Sequence, residues 1–347
     1  MKRWMSITAA VATVALFAWT LAWTMAARHV AARFTGWTKA QQDAGVAVGY
    51  ESFDVKGWPF GWRAVVEKPS LKGAGAAGWA WSGERVVASV DPRDLSRVAI
   101  RLPGKHRVRF GAGDLDTQFA MRAAKPEGAL AFDAAGRVTS LDLDLEALEL
   151  RIDAMAEPLQ VRALVATLAP HRPDNPTHMT DTLDLRFRAD GVRLPAPVTP
   201  LAALGRDIAS AELDARVKGR IAGSRLAEAL AIWRDDGGTL DVAKAAIAWG
   251  PLRLAGDGTL ALDAQNRPIG AATARIAGFV ETIDALAGAG AIPPTTGALM
   301  KIALTVLARE NPQDANRPTV TVPITAQDGT LSVQRFRLFA IAPLDLD

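Results

Sequence analysis

The 347-residue chain has no cysteine, one tyrosine and four histidines. Without cysteine there can be no disulfide and no thiolate nucleophile or metal ligand, which suits an exported protein and a cytosolic one equally. Aromatic residues are scarce, at 6%, against 49% apolar residues, so the core must be built from alanine, glycine and aliphatic side chains. Charge of one sign is also lacking. Lys2 and Arg3 precede the first apolar run, and beyond them 38 basic residues face 37 acidic ones. That balance gives no general electrostatic case for a nucleic-acid partner. No G-x-S-x-G elbow, S-x-x-K pair, H-E-x-x-H or Walker sequence occurs, and neither an enzymatic activity nor a cofactor is expected.

What is present begins with residues 4–27, an uncharged and mostly apolar run between Arg3 and Arg28. It exceeds the roughly 20 residues that a membrane-spanning helix needs, and also the roughly 7–15 residues of a signal-peptide core. Trp4 and Trp23 lie near its ends, where indoles favour the interface. A cleaved signal, with "TMAA" near the cut, is the rival reading. Helix-compatible sequence continues to Ala44, which favours an uncleaved anchor. The expected organisation is an anchor at 1–27, a juxtamembrane helix at 28–44 and an exported β-rich domain at 45–347, with lobes at 45–170 and 180–347.

Alternating patterns dominate the exported part. "RVAIRLPGKHRVRF" (97–110) reads as a hairpin with its turn at "PGKH". "LDLDLEALELRID" (141–153) alternates strictly and then slips phase near Ala147, which suggests a bulge. Three helices are expected: after Ser224, over 280–290, and over 296–311, the last with Leu299, Ile302, Ala303 and Val306 at helical spacing. A weak internal repeat aligns "GALAFDAAGR" (128–137) with "GTLALDAQNR" (258–267). The expected fold is mainly β (α+β): an N-terminal transmembrane helix, then a curved, mostly antiparallel sheet with a few helices, in one or two lobes.

Motifs that carry chemistry are few. "GAGAAG" (73–78) matches a dinucleotide fingerprint but is followed by strand-like "WAWSG" rather than a helix, and reads as a loop. His171 and His178 share a proline-rich connector with Asp174 and Asp181, a poor frame for zinc. Asp142, Asp144 and Glu146 alternate with leucines and form a solvated strand face. "DDGGTLD" (235–241) lacks the ligand order of a calcium loop. Two features stand out. Arg97, Arg101, Lys105, Arg107 and Arg109 make the densest basic patch, a solvated strand face or a contact for anionic lipid headgroups. In "GWPFGW" (57–62), Trp58, Phe60 and Trp62 recur with a period of two. They read first as a plug at a sheet edge, and otherwise as an aromatic lip at a groove or on the membrane interface.

The order of "VKGWPFGWRAVVEKPSL" (55–71), "AIWRDDGGTLDVAKAAIAWGPLRLAGDGTLALD" (231–263) and "VPITAQDGTLSVQRFRLFAIAPL" (322–344), behind the anchor, resembles an uncharacterised Gram-negative envelope family catalogued as domain of unknown function 2125. The "DGTLAL" style is also similar to that of the β-rich, membrane-anchored AsmA-like proteins associated with envelope lipid homeostasis. The signal-like placement of the apolar run at the extreme N-terminus favours export of residues 28–347, and with the resemblance it gives the expectation of a single-pass inner-membrane protein with those residues in the periplasm, acting in envelope assembly or lipid handling. Lipid or another envelope protein is the expected partner. A structural or protein-binding module is the alternative, and an envelope hydrolase without a recognisable motif the second. The family supplies no catalytic residues to carry over.

Overall fold

The computed structural model describes residues 2–73, 77–112, 115–153, 155–196, 203–222, 226–308, 318–333 and 336–344. About 52% of the chain is strand and 23% helix, which makes it mainly β. The sheet is antiparallel and open. Ser224 and residues 74–76 of the glycine-rich stretch lie outside the described residues. The chain divides into two units, Met1–Val138 with Leu148–Ala154, and Thr139–Ala147 with Met155–Asp347.

The first unit opens with one continuous helix, α1 (Lys2–Asp43). At 1.5 Å per residue its 42 residues extend about 63 Å. The strands that follow come as end-to-end pairs: β1 (Ala47–Gly49) with β2 (Ser52–Lys56), β3 (Trp62–Glu67) with β4 (Ser70–Lys72), and β5 (Ala77–Gly83) with β6 (Arg85–Asp91). β7 (Asp94–Arg101) continues into β8 (His106–Ala112), and β9 (Leu115–Arg122) into β10 (Lys125–Phe132). Each pair lies antiparallel to the next: β2 on β3 and β1 on β4, then β3 on β6 and β4 on β5, then β6 on β7 and β5 on β8, then β7 on β10 and β8 on β9. The unit is therefore a meander of long, interrupted strands.

This corrects the expected hairpin at 97–110. β7 and β8 do not pair with each other; "LPGK" is a break within one long strand, whose halves take different neighbours. The breaks are stitched across by backbone bonds, Lys68 N–H to Glu84 O at 2.9 Å, Glu84 N–H to Lys105 O at 3.1 Å and Leu102 N–H to Pro126 O at 3.0 Å. Gly104, at φ +91°, supplies the left-handed residue that the break requires.

His106 sits in this seam, only 1% exposed. Its Nε2 lies 2.9 Å from Leu102 O, and its ring stacks near Trp81. With Nε2 donating to that carbonyl, Nδ1 is the acceptor, and it has no partner among the described residues. The ring fits because its cross-strand partner is Gly83. A Cβ there would stand 2.3 Å from Nδ1. Gly83→Ala should destabilise the protein by about 1–3 kcal/mol, the usual range for overpacking. Adding His106→Ala should recover part of the loss in a denaturation double-mutant cycle, and strict additivity would refute the contact.

The second unit is a meander from β12 (Leu159–Pro170) through β13 (Asp181–Arg193), β14 (Asp207–Lys218), β15 (Thr239–Trp249), β16 (Leu252–Leu262), β17 (Pro268–Ala277) and β18 (Thr319–Gln327), to β19 (Thr330–Val333) and β20 (Phe336–Ala340). Each strand pairs with the next. Its helices are α2 (Leu226–Asp235), α3 (Phe279–Gly288) and α4 (Pro294–Leu307). The core lies where Phe279 meets Ala274, Val320 and Val322.

β11 (Val138–Ile152) contributes to both units, and its division falls between Ala147 and Leu148. Ala147 adopts φ +48° within the continuous strand, so the phase slip in the sequence marks a local backbone irregularity there. The internal repeat also has a structural counterpart. Asp133 Oδ1 accepts the Ala135 and Arg137 N–H groups while Arg137 Nε reaches Asp133 Oδ2 at 2.7 Å. Asp263 does the same with Gln265 and Arg267, again at 2.7 Å. Gly136 and Asn266 supply the left-handed position in each turn.

One face of the second sheet is ionic. Arg188 bonds Glu212 on the next strand, and Lys244 bonds the same carboxylate. Arg216 Nε donates to Asp184 at 2.9 Å, and His171 Nε2 lies 3.1 Å from Asp184. The Arg216 hydrogen bond holds the Asp184 carboxyl below its ordinary range; burial opposes this and His171 adds to it. The folded pKa is therefore below the unfolded one. The resulting stability is fully present above the ordinary aspartate value of about 3.9 and is lost as pH falls through the lower folded value. Asp184→Asn should lower the melting temperature at neutral pH, and the gap from wild type should close in strong acid. A gap that stays constant across a calorimetric pH series would contradict this assignment.

Candidate functional site

Two places in the fold leave apolar surface exposed: the turn between β2 and β3 in the first unit, and the non-ionic face of the strands in the second.

In the first unit, Gly57–Gly61 forms a turn rather than the extended strand that the period of Trp58, Phe60 and Trp62 implied. The N–H groups of Phe60 and Gly61 both bond Gly57 O, at 3.0 and 3.1 Å. Gly57 adopts φ +112°, and the Trp58–Pro59 peptide is cis. The three rings part. Trp62 is half-buried against α1, with its ring 6.5 Å from that of Trp19. Trp58 is 48% exposed and Phe60, at the tip, 88%.

α1 grips the turn through its indoles. Trp19 Nε1 donates to Pro59 O and Trp23 Nε1 to Gly61 O, both at 2.8 Å. Trp62 Nε1 returns a longer bond to Trp23 O at 3.4 Å. Further along the helix, Phe34 stacks on Phe53 with centroids 4.2 Å apart and meets Tyr50 edge-on at 5.3 Å. The helix is thus fixed to the sheet at two levels, and the β2–β3 turn lies at the level of its apolar part. Among the described residues α1 is the one helix long and apolar enough to cross a membrane.

Two cavities flank these contacts. The larger, about 480 Å³, lies behind Phe60 and Trp62 and has an ionic wall of Arg63, Asp91, Asp94 and Arg97. Its volume falls in the range of small-molecule sites. The smaller, about 160 Å³, is almost wholly apolar and lies between Phe34 and Trp37 of α1 and residues such as Val66 and Trp81.

In the second unit, strand register aligns apolar residues across seven strands. One row runs Leu164, Ala189, Ala211, Ile247, Leu254, Ile276, Val320. The next runs Ala166, Phe187, Leu213, Ala245, Gly256, Ala274, Val322. The register shift in β15 between Val242 and Ala245 keeps both residues on this face. α3 and α4 pack at β16 and β18, whereas Phe187 on β13 remains 38% exposed.

The basic residues are exposed: Arg97 and Arg101 on β7, Lys105 in the break, Arg107 and Arg109 on β8. Arg101 pairs with Glu127 at 3.2 Å. His171 is engaged with Asp184, Arg216 also pairs with Asp181 at 3.3 Å, and no group of metal-binding side chains forms among the described residues. In "DDGGTLD", Asp235, Asp236 and Asp241 are ion-paired to Arg234, Arg220 and Lys218. Asp142 accepts from Thr167 at 3.0 Å. The stripe predicted on α4 faces outward: Leu299, Ile302 and Val306 are exposed. The buried His106 and the indole grip on the turn were missed. The four-residue spacing of Trp19 and Trp23 was the available signal for the latter.

No curated protein and no solved structure matches the chain. A family described as "Uncharacterized protein conserved in bacteria (DUF2125)" matches residues 23–342, which takes in the gripping indole of Trp23, the aromatic turn and nearly all of both sheets. The chain belongs to the DUF2125 family.

Proposed function

We propose that this protein is anchored in the inner membrane by α1, carries residues 28–347 in the periplasm, and handles lipid or another apolar ligand in the envelope without catalysing a reaction. The observation that carries this reading is the apolar face of the second sheet. Across β12–β15, where α3 and α4 do not pack, three inter-strand spacings amount to about 14 Å. An acyl chain crosses half of a bilayer core of about 30 Å, so one extended chain fits along a row. Alanine and glycine within the rows leave room for it, and the face is least covered around Phe187. An N-terminal helix able to sit in a membrane would hold this face near a source of such ligands. The envelope setting rests on the family resemblance.

A second reading, a protein-binding module, is favoured by α4. Leu299, Ile302 and Val306, at 69%, 64% and 80% exposure, form an apolar stripe of the sort a partner helix or groove covers.

The test compares lipids recovered with the full-length protein and with Phe187→Glu, purified identically and assayed by mass spectrometry. Lipid held only by α1 is common to both. A carboxylate on the apolar row should cost more than about 1.4 kcal/mol of binding, a tenfold or greater loss of the excess lipid. Equal recovery from the two proteins would refute lipid handling by this face. A co-purifying protein released by Val306→Glu, with recovered lipid unchanged, would favour the second reading.

A further inference from the structure

We infer that the 57–62 turn is a second membrane contact: it lies in the bilayer interface beside α1, with Phe60 and Trp58 as its inserted side chains. The inference rests on α1 occupying the membrane, and it concerns a part of the chain that the lipid-handling face does not use.

The level of the turn follows from the helix. The uncharged run 4–27 extends about 36 Å, slightly more than a hydrocarbon core of about 30 Å. Trp23 stands one helical turn before its end at Ala27, and Trp19 one turn deeper. Gly61 O is bonded to the first indole and Pro59 O to the second. Phe60, between those carbonyls, is therefore held within the last two turns of the apolar run. This corresponds to the depth of roughly 5–10 Å at which interfacial elements bury their apolar faces.

The turn also satisfies several of its own backbone groups. Non-helical backbone at membrane depth must have its polar groups satisfied by protein. Pro59 has no N–H to satisfy, those of Phe60 and Gly61 go to Gly57 O, and the carbonyls of Pro59 and Gly61 take the two indoles. Against that background the 88% exposure of Phe60 and 48% exposure of Trp58 mark an apolar tip that water does not explain. The cavity directly behind it has a mixed ionic wall of Arg63, Arg97, Asp91 and Asp94, so polar groups begin at the level where headgroups and water would meet them. A soluble protein partner would leave the coincidence of this tip with the end of the apolar run unaccounted for.

The absence of cysteine allows a direct test. Single cysteines are placed at Phe60, at Val14 in α1 and at Phe110 on β8; the native side chains are 88%, 69% and 55% exposed, so the fold should tolerate all three. Each full-length variant is labelled with an environment-sensitive fluorophore and reconstituted into phosphatidylethanolamine–phosphatidylglycerol vesicles carrying nitroxide lipids. The label at 60 should shift to the blue, resist aqueous iodide, and be quenched more by a nitroxide near the headgroups than by one near the bilayer centre. The label at 14 should show the opposite depth order, and that at 110 should remain open to iodide. Lipid quenching at 14 with an aqueous label at 60 would overturn the inference and leave the anchor standing. An aqueous label at 14 would overturn both. Lipid quenching at 110 but not at 60 would assign membrane contact to the basic strand instead.

Discussion

The structure depends on a period of two kept in register from strand to strand. On one face of the second unit the ladders from β12 to β18 set apolar residue against apolar residue, while on the other charged and hydroxylated residues meet one another and interspersed alanines and valines. Because a slip of one residue would send a whole strand's apolar set to the wrong face, register and sidedness are one constraint. The β15 bulge illustrates it. Without the bulge that absorbs one extra residue between Val242 and Ala245, strict alternation would turn Ala245 and Ile247 to the ionic face. The ion pairs opposite, such as Arg188–Glu212 and Arg275–Asp257, are exposed, and each is worth little, about 0–1 kcal/mol. They mark which face meets water more than they hold the sheet together.

In the first unit the same alternation is interrupted in every long strand, and the interruptions are kept in line by backbone bonds across the seam. What the seam lacks in continuous pairing it gains in packing, with His106 folded over Gly83 and Trp81 beside it. α1 uses the side chains around this sheet as a socket. Phe34 meets Phe53 and Tyr50 beyond the apolar run, while Trp19 and Trp23 cap carbonyls of the β2–β3 turn within it. A helix that only tethered the domain would need neither level of contact. Two levels fix the rotation of the helix and the height of the turn together.

The fold class could be read from the sequence because alternation is local. The phase slip at Ala147, the twin turns after Asp133 and Asp263 and the apolar stripe of α4 are all properties of short windows. Partner choice is not. "LPGK" carries the proline and glycine of a hairpin turn, yet the chain runs on, because β5 and β6 lie ready as neighbours for its two halves. Nothing within residues 97–110 encodes that. Similarly, Trp58, Phe60 and Trp62 alternate as a strand would, but indole donors forty residues upstream and the bonds to Gly57 O fold the segment into a turn. The α4 stripe shows the remaining limit: helical spacing revealed the helix, but not that Ile302 and Val306 would be left exposed.

The scarcity of large side chains gains a physical meaning on the sheet. In the row from Ala166 to Val322, Phe187 and Leu213 stand beside Ala245, Gly256 and Ala274, so half of the row is nearly flat. A protein that needed only to fill its own core would be expected to place larger aliphatics there, since interiors are packed to crystal-like density. α3 and α4 supply that filling over β16–β18, through Phe279 and Leu304. Over β12–β15 the filling has to come from elsewhere. Water gains no hydrogen bonds from such a surface, whereas an alkyl chain removes it from water at about 25 cal/mol per Å². On the lipid reading, the small residues of β12–β15, such as Ala166, Ala211 and Ala245, are therefore the site itself: a stretch about as long as an acyl tail, where α3 and α4 do not pack.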